Sequence, residues 1–436
     1  MQDGASNQVF GLIMLIEFSV SNFLSFREKA TLSLVKGKGK ELEESNTVSV
    51  DAPSTPELLR GAVVFGANSA GKSNLIKALK AMRAIVLNSA KEGQSGELLE
   101  VSPFLFDDLS SQSPTEFEIV FVVDAVRYQY GFSATQEKII EEWLYAYPKG
   151  RPQRWIERIF DEKSNKYTWG SMDKLTGKKH VWQDATRPNA LFISTATQLN
   201  NQQLKPIYEW FDNCLRVVGI GMWDPGFTMR LCDQEGARER VKDFLEAADL
   251  NISDIEIQKE LFNPAKLPSE ISDIVRQELV KKLDGESILS VKTVHFTESG
   301  KKVLLDMKNE SDGTQKIFAL AGPWLDSLEH GYTLLIDELH DNLHPMMVKF
   351  LVQLFSDPAT NPNNAQLIFT THDATLLDQS LFRRDQVWFC EKDKAQATTL
   401  YPLTDFKPRA NVENLERGYL AGRYGALPYI LKSNMG

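Results

Sequence analysis

The feature that most constrains the fold is a glycine-rich segment that follows an apolar run. Residues 61–65 read Gly-Ala-Val-Val-Phe, and the next eight read Gly66-Ala-Asn-Ser-Ala-Gly-Lys-Ser73. Apolar residues then recur at helical spacing from Asn74 to Asn88. The pattern G-x-x-x-x-G-K-[ST], placed between a buried strand and a helix, predicts a loop that cradles phosphate. A glycine-rich turn with a purely structural role is the alternative.

Each residue type in this loop has a use in binding a nucleotide. Glycines let successive backbone N–H groups point at phosphate oxygens, and the helix N-terminus adds partial positive charge. Lys72 is expected to neutralise the β- and γ-phosphates, and the Ser73 hydroxyl to ligate Mg²⁺. We therefore predict ATP and Mg²⁺ as cofactors. The nucleotide is expected to contact Gly66, Asn68, Ser69, Ala70, Gly71, Lys72, Ser73 and Asn74.

Two later strands also end in polar residues that fit this chemistry. Tyr332-Thr-Leu-Leu-Ile precedes Asp337 and Glu338, and Gln366-Leu-Ile-Phe-Thr-Thr precedes His372. Taken alone, an acid pair at the end of a strand usually belongs to a solvated turn, and a histidine there is more often a hydrogen-bonded side chain without a catalytic role. Together with a phosphate loop, these residues fit specific roles. We predict that Asp337 accepts hydrogen bonds from the water shell of Mg²⁺ and that Glu338 polarises the water that attacks the γ-phosphorus. We predict that His372 forms a hydrogen bond with the γ-phosphate. We predict Glu338, His372 and Lys72 as catalytic residues, and Ser73 and Asp337 as metal ligands.

Composition excludes several classes of protein. A chain of 436 residues with 42% hydrophobic and 25% charged residues is neither disordered nor collagen-like. Lys and Arg number 49 against 59 Asp and Glu, and a net charge of −10 is unusual for a protein coated in nucleic acid. The three cysteines are widely spaced, which favours a reducing compartment. No apolar run approaches the ~18 residues of a membrane span. We expect a cytoplasmic protein with no membrane partner.

Strand-like and helical patterns divide the chain into three parts. Strand patterns dominate from about 115 to 200, although Gly170–Arg187 is predicted to be loop-rich. Charged helical patterns follow over 201–290, and strand patterns return from residue 289. Lys72 and Asp337 lie further apart than a compact phosphate-loop domain requires, so an insertion is expected between them. We predict an N-terminal ATPase lobe at 1–200, a helical arm at 201–290 and a C-terminal lobe at 291–436.

Several motifs together resemble the ABC-type ATPases of the RecF, SMC and Rad50 group. They are Asn22-Phe23…Ser25-Phe26, Gly66–Ser73, Ser311-Asp-Gly-Thr, Leu335-Ile-Asp-Glu-Leu-His-Asp-Asn-Leu-His-Pro345 and Thr370-Thr-His372. More narrowly, the chain is similar to the AAA-type, OLD-like ATPases of bacterial abortive-infection and restriction-linked phage defence. The C-terminal segments Arg383–Asp393 and Tyr419–Ala426 carry that narrower similarity. The resemblance covers most of the chain outside the predicted arm.

The resemblance implies an α/β fold, namely a P-loop NTPase of the ABC ATPase type with a mixed sheet and an inserted helical arm. It also implies that two subunits enclose ATP and Mg²⁺, with Ser311 and the Gly313 backbone of one subunit closing the phosphate loop of the other. Asp341 would lie in the loop that crosses the dimer interface. A homodimer or a higher homo-oligomer is therefore expected. Without that context, Ser311-Asp-Gly is a common turn and helix start.

Two positions depart from the family pattern. Leu24 stands where repair ATPases of this group often carry a basic residue, which weakens a function in double-strand-break repair. The usual Q-loop glutamine is not identified, and Gln112 is a candidate by position only. The residues after His372 suffice for two strands and a helix, so we expect no nuclease domain here. Any cutting of nucleic acid should then come from another chain.

Three functions remain open. The first is an ATP-hydrolysing switch that dimerises around ATP and controls a separate nuclease or toxin in anti-phage defence. The second is a RecF-like ATPase of DNA repair or recombination that binds duplex DNA directly. Its candidate basic strips, which solvated helix faces explain equally well, are Arg238, Arg240 and Lys242, or Lys281 and Lys282. The third is a scaffold that binds ATP without hydrolysis, which has no need of a general base such as Glu338.

Overall fold

The chain divides into two compact units in the computed structural model. The first combines Met1–Ile220 with Ser327–Gly436, and the second is Gly221–Asp326. The structure describes residues 11–91, 96–219, 224–234, 236–250, 252–266, 272–283, 285, 287–410 and 412–428. Over these ranges, no helix has the length and apolar character needed to cross a membrane.

The strands and helices are numbered here in chain order. The strands are β1 (Met14–Ser21), β2 (Ala30–Ser33), β3 (Thr47–Val48), β4 (Leu58–Leu59), β5 (Gly61–Phe65), β6 (Thr115–Val123), β7 (Val126–Ala134), β8 (Ile139–Tyr147), β9 (Gln153–Asp161), β10 (Lys166–Trp169), β11 (Leu215–Val218), β12 (Asp254–Leu261), β13 (Ser287–Phe296), β14 (Lys302–Asp306), β15 (Thr333–Ile336), β16 (Gln366–Thr371), β17 (Val387–Lys392) and β18 (Thr398–Pro402). The helices are α1 (Glu43–Asn46), α2 (Lys72–Asn88), α3 (Asp108–Gln112), α4 (Lys179–Ala185), α5 (Phe192–Gln198), α6 (Lys205–Glu209), α7 (Gly226–Cys232), α8 (Ala237–Ala247), α9 (Asp273–Leu283), α10 (Asp312–His330), α11 (Pro345–Ser356) and α12 (Leu415–Leu420).

An antiparallel sheet forms one layer of the first unit, in the order β10-β9-β8-β7-β6-β1-β2. Its strands follow the period of two that their sequences predict. On β6, for example, Phe117, Ile119 and Phe121 are fully buried, and the residues between them are half-buried. The region Gly170–Arg187 is less loop-like than predicted, because Lys179–Ala185 forms α4 and buries Trp182.

The second layer of this unit is a mixed sheet, in the order β11-β15-β16-β5-β17-β18. Neighbouring strands are parallel except for the antiparallel pair β17 and β18. Every residue of β5, β15 and β16 is buried, as expected for central parallel strands. The carboxyl ends of β5, β15 and β16 therefore lie at one edge. The α/β fold class and its mixed sheet are confirmed.

Helix α2 contacts strands of both sheets and is part of their common core. Its buried side chains include Leu75, Ile76, Leu79, Met82 and Val86, which recur at the spacing of one helical face. The same periodicity identified the helix in the sequence. The N-terminus of α2 is consequently fixed at the edge where β5 ends.

The second unit is built on a small antiparallel sheet, in the order β12-β13-β14. Helix α7 packs closely on α10, where the Thr228 hydroxyl accepts a hydrogen bond from Gly322 N over 3.0 Å. We expected a helical arm at 201–290, whereas this unit covers Gly221–Asp326 and combines helices with three strands. The predicted boundary at residue 290 would divide β13 and assign β14 to the C-terminal lobe. The structure groups them with the second unit because they pair with β12.

Candidate nucleotide-binding site

The phosphate loop joins the buried end of β5 to the first residue of α2. Gly66 passes so close to β17 that a Cβ there would lie 2.5 Å from the Cys390 carbonyl oxygen. Gly71 has a φ of +103°, and a Cβ there would meet the Thr398 hydroxyl at 2.2 Å. Both positions therefore require glycine for backbone reasons. The loop is exposed at Asn68 and Ser69, while Ala70 is buried and Ser73 and Asn74 are half-buried.

Lys72 folds back over this loop and is almost completely buried. Its Nζ donates hydrogen bonds to the carbonyl oxygens of Gly66 over 2.8 Å and Ala67 over 3.0 Å. Burial lowers the pKa of the Lys72 amine, and the negative charges of Glu338 and Asp337 oppose that shift. The amine thus lies inside the loop and in the electrostatic field of the acids that follow β15.

Residues distant in sequence hold the loop in shape. The Thr398 hydroxyl donates to the Ala70 carbonyl over 2.9 Å and is 2.8 Å from the Ser25 hydroxyl. Asn74 Nδ2 donates to that same Ser25 oxygen over 2.7 Å. Ser25 belongs to a motif recognised in the sequence, but no role was predicted for it. Thr398 was not predicted to be part of the site. The structure shows that both support the start of α2.

A C-terminal segment also touches the loop. Ala67 N donates to the Ala426 carbonyl over 3.0 Å, and that carbonyl also accepts from the buried Tyr419 hydroxyl over 3.0 Å. The Tyr419 ring stacks on Phe389 of β17. Sequence analysis linked 419–426 to a family but did not predict this contact.

The two acids lie where predicted, directly after β15. Thr370 of β16 connects them: its hydroxyl donates to Asp337 Oδ1 over 2.7 Å and accepts from Glu338 N over 2.8 Å. Glu338 adopts a φ of +49°, an uncommon conformation for a residue with a side chain. Asp337 is therefore held in one orientation. Sequence analysis assigned no role to Thr370.

The groups around Glu338 shift the pKa of its carboxyl. Burial raises its pKa, and a hydrogen bond and the negative charge of Asp341 raise it further. The positive charge of Lys72 acts in the opposite direction. A carboxyl with a raised pKa binds a proton more tightly than an ordinary one, which suits a general base.

His372 follows β16 and is exposed at the same edge of the sheet. Its ring lies edge-on to that of His340, with 4.0 Å between the ring centroids. The edge therefore collects Lys72, Asp337, Glu338 and His372 from the ends of three parallel strands. His340 was not predicted to be part of this site.

Ser311 and Gly313 belong to the second unit. The Ser311 hydroxyl accepts from Thr314 N over 3.2 Å, so Ser311 caps the N-terminus of α10. Glu310 before it accepts from the Thr293 hydroxyl over 2.5 Å and lies 2.8 Å from His295 Nε2. Ser311 itself is exposed. Gln112, the positional candidate for a Q-loop residue, is exposed at the end of α3.

A cavity of about 390 Å³ adjoins the start of α2. Ser25 and Asn74, which support the phosphate loop, line it on one side. Its lining also includes the apolar side chains of Leu24 and Phe106 and the polar side chains of Lys392 and Gln396. Its mixed apolar and polar walls are typical of small-molecule sites.

The residues present fit a bound Mg²⁺ better than a protein-enclosed metal. In the described part of the chain, no group of three or more His, Cys, Asp and Glu side chains is arranged to hold a metal ion. Mg²⁺ keeps several waters and is usually bound by one or two protein oxygens together with substrate phosphates. The Ser73 hydroxyl and the Asp337 carboxylate are oxygen donors of that kind.

Fold and site together define a class of protein. The phosphate-loop strand β5 is separated from the acid-bearing strand β15 by β16, and His372 follows that intervening strand. This strand order, together with the mixed sheet and the separate antiparallel sheet, is that of the P-loop ATPase fold of the ABC type. The profile of the family described as "AAA domain, putative AbiEii toxin, Type IV TA system" matches residues 62–378. The chain belongs to this family.

Solved structures show a more distant likeness. The SMC head domain from Thermotoga maritima has 13% sequence identity and a TM-score of 0.38, over 89% of this chain and 98% of that one. An SMC head bound to the C-winged helix domain of ScpA has 12% identity and a TM-score of 0.41, over 89% and 97%. No curated protein matches the sequence.

Proposed function

We propose that the chain binds ATP with Mg²⁺ and hydrolyses it at the edge of the mixed sheet. The observation that carries this proposal is the arrangement of Lys72, Asp337 and Glu338, which follow β5 and β15, the two parallel strands on either side of β16, and interact electrostatically. Sheet edges of this kind are where open α/β folds bind ligands. The N–H groups of the loop and of the first turn of α2 supply the anion site.

Each residue then has one task in phosphoryl transfer. Lys72 Nζ exchanges the Gly66 and Ala67 carbonyls for the β- and γ-phosphate oxygens. Glu338 accepts a proton from the water that attacks the γ-phosphorus, and His372 donates a hydrogen bond to a γ-phosphate oxygen. Ser73 and Asp337 would hold Mg²⁺, which would supply positive charge to neutralise the charge that develops on the phosphates.

The cavity beside α2 is the proposed place for the base and ribose of ATP. It shares Ser25 and Asn74 with the supports of the phosphate loop, so a nucleotide bound by its phosphates has this cavity within reach. Leu24 and Phe106 offer apolar surface to a base, and Lys392 and Gln396 offer hydrogen-bond donors. Leu24, which departs from the repair-ATPase pattern, is thus proposed to contact the base of ATP.

Two copies are proposed to enclose the nucleotides. In that dimer, Ser311 and the Gly313 backbone of one subunit approach the γ-phosphate held by the other. Ser311 is exposed at the N-terminus of a long helix, which carries partial positive charge. Glu338→Gln should accumulate as a dimer with Mg·ATP in light scattering, and adding Ser311→Arg should return it to the monomer. A Glu338→Gln protein that stays monomeric at saturating ATP would refute the dimer.

Control of a separate effector in anti-phage defence is the proposed biological role. The family description names a toxin and a toxin–antitoxin system, which supports this context. Loss of the γ-phosphate is an established way to release an ordered assembly. The test is purification of the tagged chain from its own host, as wild type, Glu338→Gln and Lys72→Ala. A stoichiometric nuclease or toxin with Glu338→Gln but not with Lys72→Ala supports the role.

Direct DNA binding is the alternative, and repair proteins or DNA in the same purification would favour it. The ion pairs among the described residues weaken the case for direct DNA binding. Arg238 lies 3.8 Å from Asp254, and Lys242 lies 3.1 Å from Glu239, so acids of the same unit offset two residues of the proposed strip. Binding that weakens steeply with salt and requires ATP would establish the alternative.

A further inference from the structure

Asn22 opens the motif Asn22-Phe23…Ser25-Phe26 but has no part in the function proposed above. It is buried, and its φ of +51° lies in the left-handed region that asparagine tolerates. Its Nδ2 donates to the carbonyl oxygens of Ser110 over 2.8 Å and Ser113 over 2.9 Å, and its Oδ1 accepts from Phe104 N over 3.0 Å. A turned amide would set oxygen against carbonyl oxygens, so these partners fix its orientation.

The contacts of Asn22 hold the segment 104–114 at both ends. Phe104 N begins this segment, and the Ser113 carbonyl lies close to its end. Of residues 105–114, all of which the structure describes, none is buried. A segment with so little buried surface of its own has few other contacts to fix it. We therefore expect its position to depend strongly on the hydrogen bonds of Asn22.

This segment carries two exposed apolar side chains at the cavity beside α2. Leu105 is 73% exposed and Phe106 is 71% exposed, and both line the cavity. Phe104 is fully buried, and its ring lies edge-on to that of Phe106, with 5.7 Å between the ring centroids. An exposed aromatic ring beside a cavity offers a surface on which a base can stack.

The same motif connects this segment to the phosphate loop. Leu24 N donates to the Ser102 carbonyl over 2.7 Å, just before the segment begins. The Ser25 hydroxyl accepts from Asn74 Nδ2 at the start of α2 over 2.7 Å. One short stretch of chain thus holds both the apolar wall of the cavity and the helix whose N-terminus faces the phosphates.

We propose that Asn22 is a positioning residue for nucleotide binding, which holds Leu105 and Phe106 where they contact the base of ATP. The inference rests on the proposed function, because that function assigns the cavity to the base and ribose. Asn22 itself touches no part of the nucleotide in this role. Its effect on affinity should therefore require a base, which ATP has and inorganic tripolyphosphate lacks.

The test compares the binding of Mg·ATP and Mg·tripolyphosphate to the full chain by isothermal titration calorimetry. Asn22→Gly removes the amide and keeps a residue that adopts a positive φ without strain. The Kd for ATP should rise by about tenfold in this variant, and the Kd for tripolyphosphate should not change. An unchanged Kd for ATP, or an equal rise for both ligands, would overturn the proposal.

A second variant removes the ring that Asn22 is proposed to hold. Phe106 is exposed, so Phe106→Ala leaves the core intact, and only the Kd for ATP should rise. When Asn22→Gly is added to a Leu105→Ala and Phe106→Ala protein, the Kd for ATP should rise by less than about twofold further. Additive losses would contradict a role that acts through these side chains.

Asn361→Gly is the matched control. Asn361 is fully buried before β16, at the end of that strand away from the phosphate loop. Its Nδ2 donates to the carbonyl oxygens of Phe355 over 2.7 Å and Ala365 over 2.9 Å, and its Oδ1 accepts from Ala365 N over 2.7 Å. This variant should lose stability and keep both Kd values. A rise in the Kd for ATP as large as that of Asn22→Gly would contradict positioning.

Hydrogen exchange in the nucleotide-free protein separates this proposal from the proposed function. The backbone amides of 104–114 should exchange faster in Asn22→Gly than in the wild type. Unchanged exchange there, in a chain whose wild type binds ATP, would overturn this proposal alone. A wild type that binds neither ATP nor tripolyphosphate would overturn the proposed function, and this proposal with it.

Discussion

At the residue scale, the environment of Glu338 determines what its carboxyl can do. Burial and the adjacent Asp341 raise its pKa, while Lys72 pulls it down. A negative charge beside a carboxyl disfavours the ionised form of that carboxyl. Glu338, the carboxyl proposed to accept a proton in hydrolysis, is thus the one with the raised pKa.

This environment predicts the pH dependence of turnover. Glu338 accepts a proton only in its ionised form, so activity should fall as pH drops through its raised pKa. Asp341→Asn removes a negative charge that raises the pKa of Glu338. The acid limb of the kcat–pH profile should therefore move to lower pH. The measurement is kcat against pH for both proteins.

The control for this shift is Asp357→Asn, which removes a carboxylate whose Oδ1 accepts from Ala359 N after α11. Its acid limb should coincide with that of the wild type. An Asp341→Asn profile that coincides as well would show that Asp341 does not tune Glu338.

Local patterns were enough to locate Lys72, Asp337, Glu338 and His372, because each follows a buried strand in the sequence. Their supports could not be located in this way. Thr370, Thr398 and Ala426 act through contacts between segments far apart in the chain. One signal was available: a threonine in a buried strand needs a hydrogen-bond partner, and Thr370 is such a residue.

At the element scale, a buried ion pair ties the antiparallel sheet to α5. Glu142 of β8 lies 3.9 Å from Arg158 of β9, and both side chains are inaccessible. Glu142 also accepts from Phe192 N over 2.6 Å and Ile193 N over 3.0 Å. Arg158 donates to the Ala190 carbonyl over 2.7 Å. Each charge is paired and bonded, as a buried charge must be.

Removing one partner of this pair should be costly. Glu142→Ala leaves Arg158 without its counter-charge and two backbone N–H groups of α5 without an acceptor. We expect the free energy of unfolding to fall by about 3–5 kcal/mol, measured by denaturant titration. Glu141→Ala, on the exposed face of the same strand, should change it by less than about 0.5 kcal/mol. Equal losses in the two variants would contradict a special role for the pair.

The segment around α12 is the second element with a specific contact. Through Ala426 it reaches the phosphate loop, and through Tyr419 it packs on β17. Tyr419→Phe keeps the stacked ring and removes only the hydroxyl that orients the Ala426 carbonyl. We expect the free energy of unfolding to fall by about 1 kcal/mol and the Kd for ATP to rise by less than about tenfold.

Tyr147→Phe is the control, because it removes a comparable hydrogen bond, to Gln129, within the antiparallel sheet. It should lower stability to a similar extent and leave the Kd unchanged. If Tyr419→Phe also leaves the Kd unchanged, the segment supports the fold but not the loop.

Strands and helices with strong periodicity were predictable. The alternation in β6 and the helical spacing in α2 each reflect a single buried face. The boundaries of the second unit were not predictable in this way, since pairing among β12, β13 and β14 defines them. A strand pattern does not reveal its partner.

At the scale of the whole molecule, the chain contributes elements of two units to one proposed reaction. The first unit carries the phosphate loop, the acids and His372, and the second carries Ser311 and Gly313. Turnover that depends on two subunits should therefore rise more steeply than linearly with protein concentration near the dissociation constant of the dimer. The proposed function depends on the hydrolysis of ATP.

The most direct test is the steady-state release of inorganic phosphate from Mg·ATP by the full chain, with Glu338→Gln and Lys72→Ala beside it. We expect turnover by the wild type, loss of turnover with ATP still bound in Glu338→Gln, and loss of binding in Lys72→Ala. A wild type that binds ATP without releasing phosphate would contradict this expectation, as would a Glu338→Gln protein that hydrolyses at the wild-type rate.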